Sequence, residues 1–212
     1  MHDCSIHQLS RSDDASWADC MRIYHASFPS WEREPPDVIA ARMATGRYTI
    51  HAAAIDGKVI GFHLLDFEDA FSYILFAFLA VDEDARGQGF GTQLTRHAID
   101  LFRARTGYNW FLIEAEDQQA RFYGRFGFKK LDFQYFSPSY DDETRVPMHL
   151  MAIPADERCE AMDLDIAKKL VERLYMSGYS LARTDPRIQA QIDEITVSPV
   201  LIAWPPARPS DQ

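Results

Sequence analysis

The stretch "LAVDEDARGQGFGTQLTRHAIDLF" constrains this chain more than any other. An apolar, strand-like run ends in three acids. Arg86 follows, then Gly87, Gly89 and Gly91 at alternate positions, then a helical pattern. Glycine has no Cβ and enters positive φ at little cost. The first turn of a helix leaves N–H groups unpaired and carries positive partial charge. A glycine-lined strand-to-helix junction therefore suits an anion, and Arg86 adds a fixed positive charge beside it. A merely tight turn needs one glycine; three, preceded by arginine, point to phosphate. The spacing excludes a P-loop, which needs GxxxxGK[ST], and the dinucleotide fingerprint GxGxxG, because these glycines run GxGxG.

The flanking pattern supplies the elements. "FSYILFAFLAV" is apolar on both faces, which predicts a central strand covered on both sides. After the glycines, Leu94, Ala98, Leu101 and Phe102 mark one face of a helix that Gly107 ends. Upstream, "SIHQL" reads as a short strand. Asp13 and Asp14 cap a helix over "ASWADCMRIYHASF", "PSWEREPP" is a loop, and "DVIAARMATG" is a helix ending at Gly46. "RYTIHAAAI" and "KVIGFHLLDF" form a hairpin around Asp56-Gly57. Downstream come the strand "NWFLIEA", a helix "QQARFYGRF" capped by Asp117 and ended by Gly127, and strands "FKKLDFQYF" and "VPMHLMAI" around the loop "SPSYDDETR". This order predicts a mixed α/β sheet rather than separate α and β domains.

The grammar changes after Pro154. "DIAKKLVERLYMSG" places Ile166, Leu170 and Leu174 on one helix face, and "TDPRIQAQIDEI" has Asp185 as cap and Pro186 in its first turn. "VSPVLIAW" reads as a short edge strand, and "PPARPSDQ" should fray. Residues 1–154 are thus the main domain and 155–212 a C-terminal extension. Its apolar faces pack on the core, lid a site or form a homodimer contact.

With 212 residues, 47% of them hydrophobic, the chain can bury a core without staples. A net charge of −10 disfavours nucleic acid and anionic membranes as partners, and suits either a cationic substrate or a merely soluble surface. Cys4, Cys20 and Cys159 lie far apart with no CxxC, as free thiols of a reducing compartment do. His51, His63, His97 and His149 show no metal-ligand spacing, so no metal is expected and the histidines read as structural. The N-terminus has no signal-like apolar region, and the longest apolar run, from Ile74 to Val81, is too short to span a bilayer. The expectation is a cytoplasmic protein.

Val81, Arg86, Gly87, Gly89 and Gly91 fill a V-x-x-x-x-R-G-x-G-x-G pattern that resembles the acyl-CoA-binding motif of the GCN5-related N-acetyltransferases (GNAT). "ARFYGRFGF", with Phe122, Tyr123, Gly127 and Phe128, resembles that family's second motif. The resemblance covers roughly Ser5 to Ile153. It implies a mostly antiparallel twisted sheet with splayed central strands, helices on both faces, and acetyl-CoA as cofactor. Pantetheine would pair with backbone up to Leu79, Ala80 and Val81. Pyrophosphate would rest on N–H groups of Arg86, Gly87, Gln88, Gly89, Phe90, Gly91 and Thr92.

The implied reaction is direct attack of an amine on the thioester, with the oxyanion held by a backbone N–H near Leu79 to Val81. Tyr123 is the candidate to protonate the thiolate, or else a core aromatic of its short helix. The central strand carries no acid, so Glu114 is the candidate base, with water relay or a solvated strand end as alternatives. Glu116 lies on the same face if the strand continues, and stands where relatives often have a cofactor-contacting Asn. Phe28, Trp31 and Glu34, with Glu32, are candidates for an acceptor-pocket lip through charge and cation–π contact, and Tyr140 borders the acceptor or a dimer contact. The acidic balance favours a small or cationic amine as the acceptor; a protein N-terminus or lysine, or a non-catalytic acyl-CoA-binding module, are the alternatives.

Overall fold

The Asp56-Gly57 dipeptide forms the turn its sequence predicts. Both residues have positive φ, 49° and 80°, and join β2 (Tyr48–Ile55) to β3 (Lys58–Glu68) with Ile55 opposite Lys58. Farther from the turn Ala53 faces Gly61 but Ala54 faces Val59, so Ile60 is an extra, bulged residue of β3. Beyond the bulge His51 stands opposite His63. A second bulge follows in β4 (Tyr73–Val81): Leu64 faces Phe78 and Leu65 faces Phe76, leaving Ala77 extra.

The computed structural model describes residues 4–12 and 14–206; Asp13, offered as a cap, and 207–212, the end of the expected frayed tail, lie outside them. Its contacts fall into two compact units, Met1–Asp69 with Tyr73–Tyr108, and Ala70–Ser72 with Asn109–Gln212.

In the first unit β1 (Cys4–Gln8), β2, β3 and β4 pair antiparallel in that order. Helices cover both faces. From α1 (Trp17–Ser27) and α2 (Pro36–Ala44), Cys20, Ile23, Tyr24, Ile39 and Met43 pack with Ile50, Phe62, Leu64 and Phe78. On the other face Phe90 and Leu94 of α3 (Phe90–Ala104) pack with Ala53, Ile60 and Ala85. The expectation that β4 is covered on both faces holds from Tyr73 to Phe76; beyond, Ala77, Leu79 and Val81 are only half-buried. Asp14 does not cap α1, whose N-cap is Ser16. Its carboxylate instead accepts the N–H groups of Ser10 and Ser16 in the preceding turn.

In the second unit β5 (Trp110–Ala115) pairs antiparallel with β8 (Arg145–Pro154). The single strand expected over "FKKLDFQYF" is two, β6 (Lys129–Leu131) and β7 (Tyr135–Pro138), each paired with a different part of β8. The break falls where Asp132 N–H bonds Val200 O and Phe133 N–H bonds Leu131 O. α4 (Asp117–Gly124) has Glu116, not Asp117, as its N-cap residue.

The extension belongs to this second unit. α5 (Leu164–Gly178) is capped by Asp163 and buries Leu170, Val171, Leu174 and Tyr175, whereas Ile166, expected on that face, is 47% exposed. α6 (Pro186–Asp193) is capped by Asp185 as its sequence predicts. The edge strand β9 (Leu201–Ala203) pairs with β6. Buried Gln191 completes the docking: its amide donates to Gln134 O and accepts Phe136 N–H, both at 2.9 Å, satisfying β7 backbone as a strand neighbour would. No helix among the described residues is long and apolar enough to cross a membrane.

Candidate active site

The strand-to-helix junction has the geometry an anion cradle needs. Gly87 and Gly89 hold φ of 75° and 87°, in the left-handed region, and no atom lies within 4 Å of where a Cβ would stand on either. Gly89 is the N-cap residue of α3 with no side-chain cap, so the first-turn N–H groups have no intrahelical acceptor. Gly91 differs from the expectation of positive φ: it is the second residue of α3 and takes helical backbone. Arg86 is exposed and donates from Nε to Val81 O at 3.2 Å, tying its stem to the end of β4. Of the three adjacent acids, Asp82 is engaged through its carboxylate. Asp82 caps a 3-10 turn, Glu83–Ala85, by accepting Asp84 N–H. It also pairs with Arg22 at 2.8 Å, a contact that lowers its carboxyl below the usual carboxylate range. Arg22 thus offsets one of the three negative charges beside the cradle. The cradle's open backbone fits a coenzyme A pyrophosphate, with Arg86 as counter-charge.

Leu79, Ala80 and Val81 are the last residues of β4, opposite His63, Phe62 and Gly61. Phe28, expected at an acceptor lip, is half-buried and packs edge-on against Phe78, 5.1 Å between centroids, and against Tyr24 at 5.4 Å. Trp31 is half-buried in a 3-10 turn, Ser30–Glu32. Glu34 does not present a carboxylate to solvent as a lip residue would. It is 1% exposed and lies 2.7 Å from Arg42 Nη1, and burial pushes its carboxyl up to about 7 against the pull of that guanidinium. Its partner Arg42 comes from α2, which Pro36 begins.

Three histidines read as scattered meet in the first unit. His63 Nε2 and His97 Nδ1 are 2.9 Å apart, His51 stacks on His63 at 4.8 Å, and His97 lies 5.0 Å from His51. Burial lowers all three, His51 to about 4. No group of metal-ligating side chains among the described residues has the geometry to hold an ion.

In the second unit Tyr123 is 7% exposed on α4, with ring neighbours Phe122 at 5.1 Å and Phe128 at 5.8 Å. Glu114 is near the end of β5, and three hydroxyls surround its carboxylate. Tyr135 Oη donates to Oε1 at 2.6 Å, Ser137 Oγ to Oε1 at 2.8 Å, and Tyr179 Oη to both oxygens at 2.8 and 2.9 Å. Desolvation raises the carboxyl, opposed by those three hydroxyls. β5 stops at Ala115, so Glu116 does not continue the strand face; it is exposed at the start of α4. Tyr140 lies against Tyr179, 5.0 Å between rings, and donates to Gly178 O at 2.9 Å. Neither this cage nor the His149–Asp117 contact of 2.6 Å emerges from sequence spacing, because the partners lie 21 to 65 residues apart.

The family model described as "Acetyltransferase (GNAT) family" matches residues 17–128, a little over half of the chain. Among curated proteins no relative matches. Solved structures do. A GNAT-family protein from Bacteroides thetaiotaomicron superposes with a TM-score of 0.69 at 19% identity, covering 84% of this chain and 99% of its own. The ribosomal-protein-S18-alanine N-acetyltransferase from Escherichia coli gives 0.56 at 21% identity, over 72% and 94%. The yncA protein of Salmonella typhimurium, solved with its cofactor acetyl-CoA, gives 0.56 at 19% identity, over 74% and 96%. At these identities the structures establish the fold, and the family model establishes membership. The chain belongs to the GNAT family of acetyl-CoA-dependent acetyltransferases.

Proposed function

We propose that the protein transfers the acetyl group of acetyl-CoA to the amine of a small, cationic acceptor by direct attack. The observation that carries the donor half is the pair of left-handed glycines, open above their Cα atoms, at the uncapped N-terminus of α3. Backbone N–H groups there take the pyrophosphate, with Arg86 beside them. The acceptor half rests on the net charge of −10, which draws cations.

In the reaction the acceptor ammonium loses a proton to Glu114, a carboxyl whose proton affinity is raised by desolvation. The amine attacks the thioester carbonyl, and the oxyanion takes a backbone N–H near Leu79 to Val81. As the C–S bond breaks, Tyr123 protonates the departing thiolate, and the second proton shed by the attacking nitrogen as it becomes an amide returns, relayed by water, to the phenolate. The test is thiol release from acetyl-CoA across a panel of polyamines, amino acids, aminoglycosides and peptides. Turnover confined to small cationic amines supports the reading. Turnover confined to peptide N-termini or lysines reassigns the acceptor, and cofactor binding without release by any amine makes the chain an acyl-CoA-binding module.

A further inference from the structure

The hydroxyl cage ties the C-terminal extension to the candidate base. Tyr135 and Ser137 come from β7, but Tyr179 is the C-cap residue of α5, held there by its N–H to Tyr175 O. Its hydroxyl forks across both carboxylate oxygens of Glu114 and also contacts Ser137 Oγ. Tyr135 and Ser137 are buried at 1% and 2% exposure, whereas Tyr179, like Glu114 itself, is half-buried.

Three hydroxyls donating to one carboxyl group stabilise its ionised form more than its acid, because both oxygens of the anion only accept, whereas the acid gives up part of that capacity to its own O–H. The cage favours the anion and desolvation favours the acid, so the two act against each other on one side chain. Among the described residues no cation takes part. The other groups nearby are the Tyr175 and Tyr140 phenols; Arg145 and Arg187 act on Tyr175. Opposite Glu114 across the ladder, β8 presents the aliphatic Leu150.

We propose that Tyr179 is a positioning residue for Glu114: the extension supplies the hydroxyl that forks across this carboxylate, holds it in place and favours its ionised form. A packing role alone would require only that α5 bury its apolar face, which Leu170, Leu174 and Tyr175 already do. This inference rests on the assignment of Glu114 as base in the proposed reaction.

The experiment is Tyr179→Phe in the full-length chain, with Ser137→Ala as a second variant should the first not fold. The Glu114 carboxyl is titrated by carbon-13 NMR of side-chain-labelled glutamate, and kcat/KM is profiled against pH. Losing a donor to the anion should raise the titration midpoint by about one pH unit. The acid limb of kcat/KM should rise with it, kcat should fall more than KM changes, and acetyl-CoA affinity should stay constant. A folded variant with an unmoved midpoint overturns the inference. So does a moved midpoint with an unmoved acid limb, which leaves acetyl transfer intact but removes Glu114 as its base. If the wild type releases thiol with no amine, the proposed function fails, and the NMR midpoint alone still decides whether Tyr179 sets the carboxylate.

Discussion

Protonation of the buried histidines gives a stability change whose sign and size follow from position. His51 is 6% exposed, stacked on His63, with burial, then His97, lowering its pKa from 6.5 to about 4. The unfolded chain therefore binds this proton first as pH falls. The stability His51 contributes by staying neutral is present above pH 6.5 and lost progressively as the pH drops towards 4. Between pH 7.5 and 5.0 the linkage integral for one such group is about 2 kcal/mol. Glu34 acts in the opposite direction. Its folded pKa of about 7 exceeds the ordinary 4.5, so folded protein takes up its proton first and gains stability over much of the same range. Wild type alone would blur the two. His51→Gln, which keeps a polar side chain but does not titrate, separates them. Urea unfolding at pH 7.5 and 5.0 should show wild type losing about 2 kcal/mol more than the variant. Equal losses in the two proteins would refute the argument that burial, rather than exposure, governs this imidazole.

Other perturbations test neighbouring parts of the account. Gly124→Ala places a Cβ 1.8 Å from the carbonyl oxygen of Trp204, so the backbone must shift; we expect about 2–3 kcal/mol of destabilisation in the urea midpoint. Gln191→Leu leaves Phe136 N–H and Gln134 C=O without their side-chain partner, costing about 2–4 kcal/mol, and the Phe136 amide should exchange faster with solvent. Gly89→Asp adds a side chain at φ 87° and a negative charge at the cradle, and acetyl-CoA affinity by calorimetry should fall at least about 10-fold. Unchanged affinity in a folded Gly89→Asp protein would remove the phosphate assignment.

The order of elements and the turn chemistry were legible in the sequence because they are local. Asp56-Gly57, Asp185-Pro186 and the glycines before α3 each act within a few residues of themselves. What escaped depends on register or on distant partners. Counting back from the turn pairs His51 with Phe62; the bulge at Ile60 moves it onto His63, and a bulge has no reliable sequence mark. Glu114 stood out as an acid in an apolar strand, but its cage requires α5 to end against β7, with Tyr179 65 residues away. Glu34, beside Trp31 in sequence, reads as a lip residue; its pairing with Arg42, eight residues on in α2, is tertiary and carries no local mark.

The central claim is that Tyr123 serves the chemical step of acetyl transfer rather than holding up the core. Tyr123→Phe keeps the ring against Phe122 and Phe128 and removes only the hydroxyl. Measured with the best amine of the panel, acetyl-CoA affinity should stay at the wild-type value while kcat falls by about 100-fold. A kcat equal to wild type in the folded variant would contradict the claim.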